Sequence, residues 1–83
     1  DGLYSIRLMQ GDSYSFSPVF WNGGFQSNIE FSLTTLSSAI VIDGLSISAI
    51  EIAENIVLRI ACIYENTEYC VFVYITIDEE VVL

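Results

Sequence analysis

Cys62 and Cys70 are the two cysteines of the chain, and they bracket a short polar segment in "CIYENTEYC". Three states are open to such a pair: a disulfide, half of a metal site, or two unreactive thiols in a hairpin. The flanking runs, "NIVLRIACIY" (55–64) and "YCVFVYITI" (69–77), have the apolar and β-branched character of strands. The register between them therefore decides. A two-residue turn at Asn66 and Thr67 sets Cys62 against Val71 and Cys70 against Ile63. The thiols then lie on opposite sides of the sheet, because successive side chains alternate faces. A three-residue loop sets the cysteines directly opposite each other, where a bridge is conceivable within the narrow geometry disulfides need. No zinc site can be built at this spacing, with no further Cys and no His in the chain. Neither thiol has a His or Lys partner to stabilise a thiolate. Free buried thiols, behaving as small hydrophobes, are the expected state, and a disulfide is the alternative.

The remaining reactive groups are mostly carboxylates. Eleven Asp and Glu face two bases, Arg7 and Arg59, and the net charge is −9. The missing His removes imidazole bases, Ser–His and Cys–His pairs and imidazole ligands. The missing Lys removes Schiff-base chemistry and the phosphate-loop lysine. A paired-carboxylate glycosidase site needs two acids across a cleft, which a small sandwich hardly offers. Calcium needs several oxygens converging from loops. Asp12, Asp43, Glu51, Glu54 and the run Asp78–Glu80 fall in predicted loops or just beyond a strand, with no EF-hand-like spacing. The expectation is a solvated acidic surface, with no catalytic residue, cofactor or bound metal. Such a surface repels phosphate backbones and anionic bilayers, which counts against nucleic-acid and membrane partners and suits solubility or a basic partner.

A chain of 83 residues is one domain, and at that size it needs a dense core or outside help. The density is present: 53% of residues are hydrophobic and the mean hydropathy is +0.58. The apolar runs are broken by Ser, Asn, Gly and Thr, so none reaches the about 18 uniform residues of a membrane span. No basic start leads into an apolar block, as a secretory signal requires. The chain opens at Asp1 without an initiating Met, so a segment of a longer polypeptide or a processed product is expected.

The elements that must carry these residues have a period of two. "YSIRL" (4–8), "SYSFS" (13–17), "NIEFSLT" (28–34) and "LSISA" (45–49) alternate apolar and polar residues, and "AIVI" (39–42) precedes the last of them. "QGD" separates the first two runs, and "NGG" opens a loop reaching about Ser27. Asp43–Gly44 reads as a type I′ hairpin turn, pairing Ile42 with Leu45 and Ile40 with Ile47. "AIEIAEN" (49–55) fits either one helical turn or a loop. About seven short strands at this spacing predict an all-β antiparallel sandwich. The predicted core is Ile6, Leu8, Tyr14, Phe16, Phe31, Leu33, Ile40, Ile42, Leu45, Ile47, Leu58, Ile60, Cys62, Val71, Val73 and Ile75.

Two surfaces stand out as candidate partner sites. In the last hairpin, Arg59 and Thr76 mark the outward face, yet that face also carries Ala61, Ile63, Cys70, Phe72 and Tyr74. A solvated antiparallel face should be more polar, so a neighbouring domain or subunit is expected to cover it. The second is the loop "PVFWNGGF" (18–25), where Phe20, Trp21 and Phe25 lie within six residues. Such aromatics either lid the end of a sandwich or, when exposed, bind a partner or stack on carbohydrate.

The order of elements resembles the bacterial immunoglobulin-like domain of group 2, the invasin/intimin type. "MQGDSYSF" is similar to the family's opening strand, "IEFSL" to its middle strand with Phe31 at its usual Trp, and "VIDGLSISA" to its Gly-bearing hairpin. "ENIVLRIAC" and "VFVYITI" are similar to its closing strands, with Glu54 and Asn55 where a Gly is usual. The resemblance spans about residues 5 to 78. It implies an immunoglobulin-like sandwich without an active site, as found in bacterial adhesins and appended to phage capsid and tail proteins. "YSIRLMQGDSYSF" also resembles the first strands of phage baseplate or tail-associated β-domains. The expected function is a non-catalytic structural module of a phage virion protein, packing against neighbouring subunits. The alternative is a bacterial cell-surface adhesin domain or a carbohydrate- or receptor-binding domain using loop 18–25. The expected contact residues are Phe20, Trp21, Phe25, Ile63, Phe72 and Tyr74.

Overall fold

The computed structural model describes residues 4–26 and 29–80. Among them the chain forms strands and no helix: β1 (Tyr4–Met9), β2 (Ser13–Ser15), β3 (Phe20–Trp21), β4 (Phe25–Gln26), β5 (Phe31–Thr35), β6 (Ile40–Asp43), β7 (Ser46–Ala49), β8 (Ala53–Tyr64) and β9 (Thr67–Asp78). A four-stranded sheet has the order β1-β9-β8-β5, and a three-stranded sheet the order β2-β7-β6. Strands β3 and β4 form a separate two-residue ribbon. Residues 50–52, which could have started a helix, are an irregular approach to β8. Ser27 and Asn28, the predicted end of one loop and start of one strand, lie outside the described residues.

Alternation builds the core. Inward positions of both sheets meet in one apolar cluster that includes Leu8, Leu33, Ile40, Ile47, Leu58, Ile60, Val73, Ile75 and Ile77. The chain is thus a two-layer β-sandwich. Each fully buried Leu or Ile side chain contributes about 1.5–3 kcal/mol of burial free energy.

The two layers are stitched at the first turn. Gly11 takes a φ of 97°, in the left-handed region, so the chain can reverse between sheets. There the Gln10 N–H donates to the Asp78 carbonyl of the first sheet at 2.8 Å, and the next N–H, of Gly11, donates to the Ala49 carbonyl of the second at 2.8 Å. The Met9 N–H donates to Asp12 Oδ2 at 2.9 Å, which occupies that carboxylate in the turn. Because β1 and β2 belong to different sheets, β1 reaches its edge without a hairpin. It runs parallel to β9, with Tyr4 beside Val73 and Leu8 beside Ile77. The all-antiparallel expectation is corrected at this one pairing.

Both predicted hairpins form, each with its turn displaced by one residue. In the first, Asp43 pairs with Ser46 and Ile42 with Ile47, so the turn residues are Gly44 and Leu45. Of the two, Gly44 alone has a positive φ, 62°, the pattern of a type II′ turn rather than I′. In the second, Tyr64 pairs with Thr67, so the turn is Glu65–Asn66. Both have positive φ, 49° and 65°, as a type I′ turn demands. Glu in this conformation costs about 1–2 kcal/mol, because its Cβ crowds the following carbonyl. Replacing the turn by Asn-Gly (Glu65→Asn with Asn66→Gly) is therefore expected to stabilise the domain by about 1 kcal/mol, read in thermal unfolding as a rise of roughly 4–8 °C.

Two predicted core residues are not core. Tyr14 is 41% exposed and Val71 45% exposed, although both lie on inward faces. For Val71 the cause is a length mismatch, whereas Tyr14 lies on β2, a three-residue edge strand of the smaller sheet. Strands β8 and β9 have 12 residues each, whereas β2, β6 and β7 have 3 to 4, so the long hairpin outruns the sheet that should cover it. Conversely Ala39, Ala49, Ile56, Ala61 and Ile77 are buried and stand outside the predicted core.

Candidate interaction surface

The β8–β9 register settles the cysteines. Cys62 pairs with Tyr69 and Cys70 with Ala61, each two residues from the partner that a turn at Asn66–Thr67 implies. The parity is unchanged, so the thiols lie on opposite faces and both are free. Cys62 faces the core, and burial pushes its thiol pKa up. Cys70 is exposed, contrary to the expectation of two buried thiols. It sits on the outer face of a sheet whose tip is open to solvent. In the native chain Cys70 is expected to react with a thiol reagent at neutral pH at least about tenfold faster than Cys62, which keeps its proton and its cover. Mass spectrometry of partly labelled, then digested protein reads this directly.

The outer faces of the two sheets differ in kind. On the three-stranded sheet, Ser13 pairs with Ser48 and Ser15 with Ser46. Their hydroxyls are hydrogen-bonded across the strands, at 3.2 and 2.8 Å. The serine hydroxyls of that face are thereby satisfied, and Val41, opposite Ser48, is exposed beside them. On the four-stranded sheet, residues directly opposite share a face, and the outward pairs are Val57–Tyr74, Arg59–Phe72, Ala61–Cys70 and Ile63–Glu68. Ile63 is 67% exposed, with Phe72 at 42% and Tyr74 at 39%. An apolar stripe therefore runs along the two central strands. Ser32 and Thr34 of β5 flank it on one side, and Ser5 and Arg7 of β1 on the other, each fixed by strand register.

Both arginines of the chain lie on this face and both are ion-paired. Arg7 Nη1 contacts Asp78 Oδ1 at 2.9 Å and Oδ2 at 2.7 Å. Arg59 pairs with Glu68, and the two flank the Ala61–Cys70 pair, so the ion pair spans it. Exposed pairs of this kind contribute about 0–1 kcal/mol each. Their larger effect is to neutralise both basic side chains of the chain where they stand on this face. Val57 belongs to the stripe and was missed by the sequence reading. Its place follows from the inward assignment of Leu58 alone. Leu36, fully exposed in the loop after β5, was missed too, because loop residues carry no periodicity.

Loop 18–25 divides its aromatics. Phe20 is half-buried and packs on Tyr64 and Tyr69 at the open tip of the long hairpin, with ring centroids 5.1 and 4.9 Å apart. It serves as the lid. Trp21, the next residue, points the other way and is 72% exposed. Phe25 pairs with Trp21 in the β3–β4 ribbon. The structure thus groups Ile63, Phe72 and Tyr74 on one face and leaves Trp21 apart from them. Among the described residues no three of His, Cys, Asp or Glu converge as metal ligands, and no helix is long and apolar enough to cross a membrane. No protein-family model, curated protein or solved structure matches the chain.

Proposed function

We propose that the chain is a non-catalytic immunoglobulin-like module of a phage capsid or tail protein, which packs against neighbouring subunits through the outer face of its four-stranded sheet. One observation carries the packing role: one outer face holds two hydrogen-bonded serine pairs with a single valine, Val41, exposed beside them, while the opposite outer face exposes Val57, Ile63, Phe72 and Tyr74. Contiguous apolar surface on one side of a small acidic domain is what a covered interface needs.

The immunoglobulin-like reading rests on strand order. The arrangement β2-β7-β6 over β5-β8-β9 follows the B-E-D and C-F-G order of that fold, with the first strand moved to the edge beside the last. A second support is Asn55. It stands where the similar family carries a glycine, and its φ is 58°, a conformation glycine favours and Asn tolerates. The virion context rests on the sequence resemblance alone.

A photo-crosslinking amino acid at position 72, and a second variant with it at position 48 on the serine face, test the reading in the assembled parent particle. Crosslinks to a neighbouring subunit are expected from 72 and not from 48. The reverse pattern would place the interface on the wrong sheet.

A second reading has its own observation. Trp21 stands exposed on a ribbon that Phe20 anchors, a geometry suited to stacking on a sugar ring in a bacterial surface adhesin or receptor-binding domain. A glycan array probed with the chain and with Trp21→Ala tests it, and an array without any Trp21-dependent signal sinks it.

A further inference from the structure

We propose that the partner seated on the outer sheet face is a polypeptide segment with an apolar centre and basic flanks, an inference that rests on reading that face as an interface. The observations are the shape of the face and its charge. Two shallow depressions adjoin along the seam of β5 and β8. One, of about 600 Å³, is lined by Leu36, Val57 and Phe72, with Glu54 at its end. The other, of about 460 Å³, is lined by Ala61 and Ile63, with Glu30 and Glu68 at its rim. Arg59 lies between them, bordering the first and ion-paired to Glu68 of the second. The seam therefore carries apolar side chains in each depression beside Ser32 and Thr34 of β5, is crossed in its middle by the Arg59–Glu68 pair, and has Glu54 and Glu30 towards its two ends. From Val57 to Ile63 it spans roughly 20 Å of strand, the length of six or seven extended residues.

The chain cannot neutralise those ends itself. Its two bases are Arg7 and Arg59, and both are already paired, with Asp78 and Glu68. Glu30 and Glu54 have no cation of their own left to meet. A second copy is a poor occupant, because it brings a charge of −9 against −9 and apposes the same acidic ends. A basic-flanked segment meets Glu30 and Glu54 with opposite charge while its apolar residues fill the seam, the arrangement of a buried centre with a polar rim.

Three synthetic peptides test this against the folded chain by NMR titration: KKVTVTVKK, EEVTVTVEE and KKSTSTSKK. The first is expected to shift residues of β5 and β8, and to bind at least about tenfold tighter than the second. Raising the salt from about 20 mM to about 0.5 M should weaken it at least about fivefold, because exposed charges are then screened. Glu30→Gln with Glu54→Gln should weaken it about threefold to tenfold, in keeping with exposed charge pairs. Equal binding of both valine peptides at this seam overturns the charge inference and leaves the interface reading standing. Equal binding of KKSTSTSKK and KKVTVTVKK overturns the interface reading, since the apolar centre then contributes nothing. Absence of any peptide-dependent shift at the seam overturns the inference. So does concentration-dependent shifting of the same residues without peptide, which would make a second copy the occupant.

Discussion

Leu58→Ala is expected to destabilise the domain by about 3–4 kcal/mol, because it leaves a cavity where the structure has no slack. Leu58 is 0% exposed. It sits in the middle of the four-stranded sheet, paired with Val73 on one side and Thr35 on the other. It belongs to the same apolar cluster as Ile47 and Ile75, which come from the two different layers. At about 0.05–0.15 kcal/mol per residue, a domain of this length holds only roughly 4–12 kcal/mol in total, so this one change removes a quarter or more. Chemical denaturation should show a lower midpoint with an unchanged slope, since the surface exposed on unfolding is nearly the same. Tyr14→Ala is the control. It shares the inward pattern in sequence but is half-exposed beyond the edge of the cluster, and it should cost under about 1.5 kcal/mol. Equal costs would mean that Tyr14 is as buried as Leu58, against the fold described above.

Phe72→Thr with Tyr74→Thr is expected to weaken association with the natural partner at least about hundredfold, while the domain stays folded. Two buried aromatic anchors commonly account for about 2 kcal/mol each at an interface, and hundredfold needs about 2.7 kcal/mol. Threonine is β-branched and so, like the aromatics it replaces, favours strands, and unfolding stability should change by less than about 1 kcal/mol. Ser13→Thr with Ser48→Thr, on the serine face of the other sheet, should leave association unchanged. If both pairs of changes weakened binding equally, the contrast between the two faces would have no functional meaning.

Much of this was legible in the sequence, and the residues show why. Alternation in "SYSFS", "LSISA" and the two long closing runs specifies which side chains share a face. That information is parity, and parity survives error. Both hairpin turns lie one residue from their predicted places, which moves every partner by two residues and leaves each side chain on its predicted face. Hence the thiols fall on opposite faces although neither meets its predicted neighbour, and Ile63, Phe72 and Tyr74 share the outer face as expected.

Strand pairing over long distances is another matter. Nothing local in "YSIRL" says that it lies parallel to β9, because that contact joins the two ends of the chain. Burial depends on the same long-range facts. Val71 reads as core and is open to solvent, since its cover is set by how far the other sheet extends. Turn types were legible in part. Gly44 announced its hairpin, whereas Glu65 at positive φ had no signal, because Glu is not a residue that chooses that conformation.

If the outer face of the four-stranded sheet is covered in the working assembly, as proposed, Cys70 is a native reporter on that face. It is exposed in the isolated chain and lies beside Phe72 and Ala61 along the apolar stripe. Its rate of maleimide labelling should therefore be compared in the free domain and in the assembled parent protein, with Cys62 as the internal reference. Cys70 is expected to label readily when free and at least about tenfold more slowly after assembly, as a thiol excluded from solvent does. Labelling of Cys70 at the same rate in both states would contradict the proposed cover.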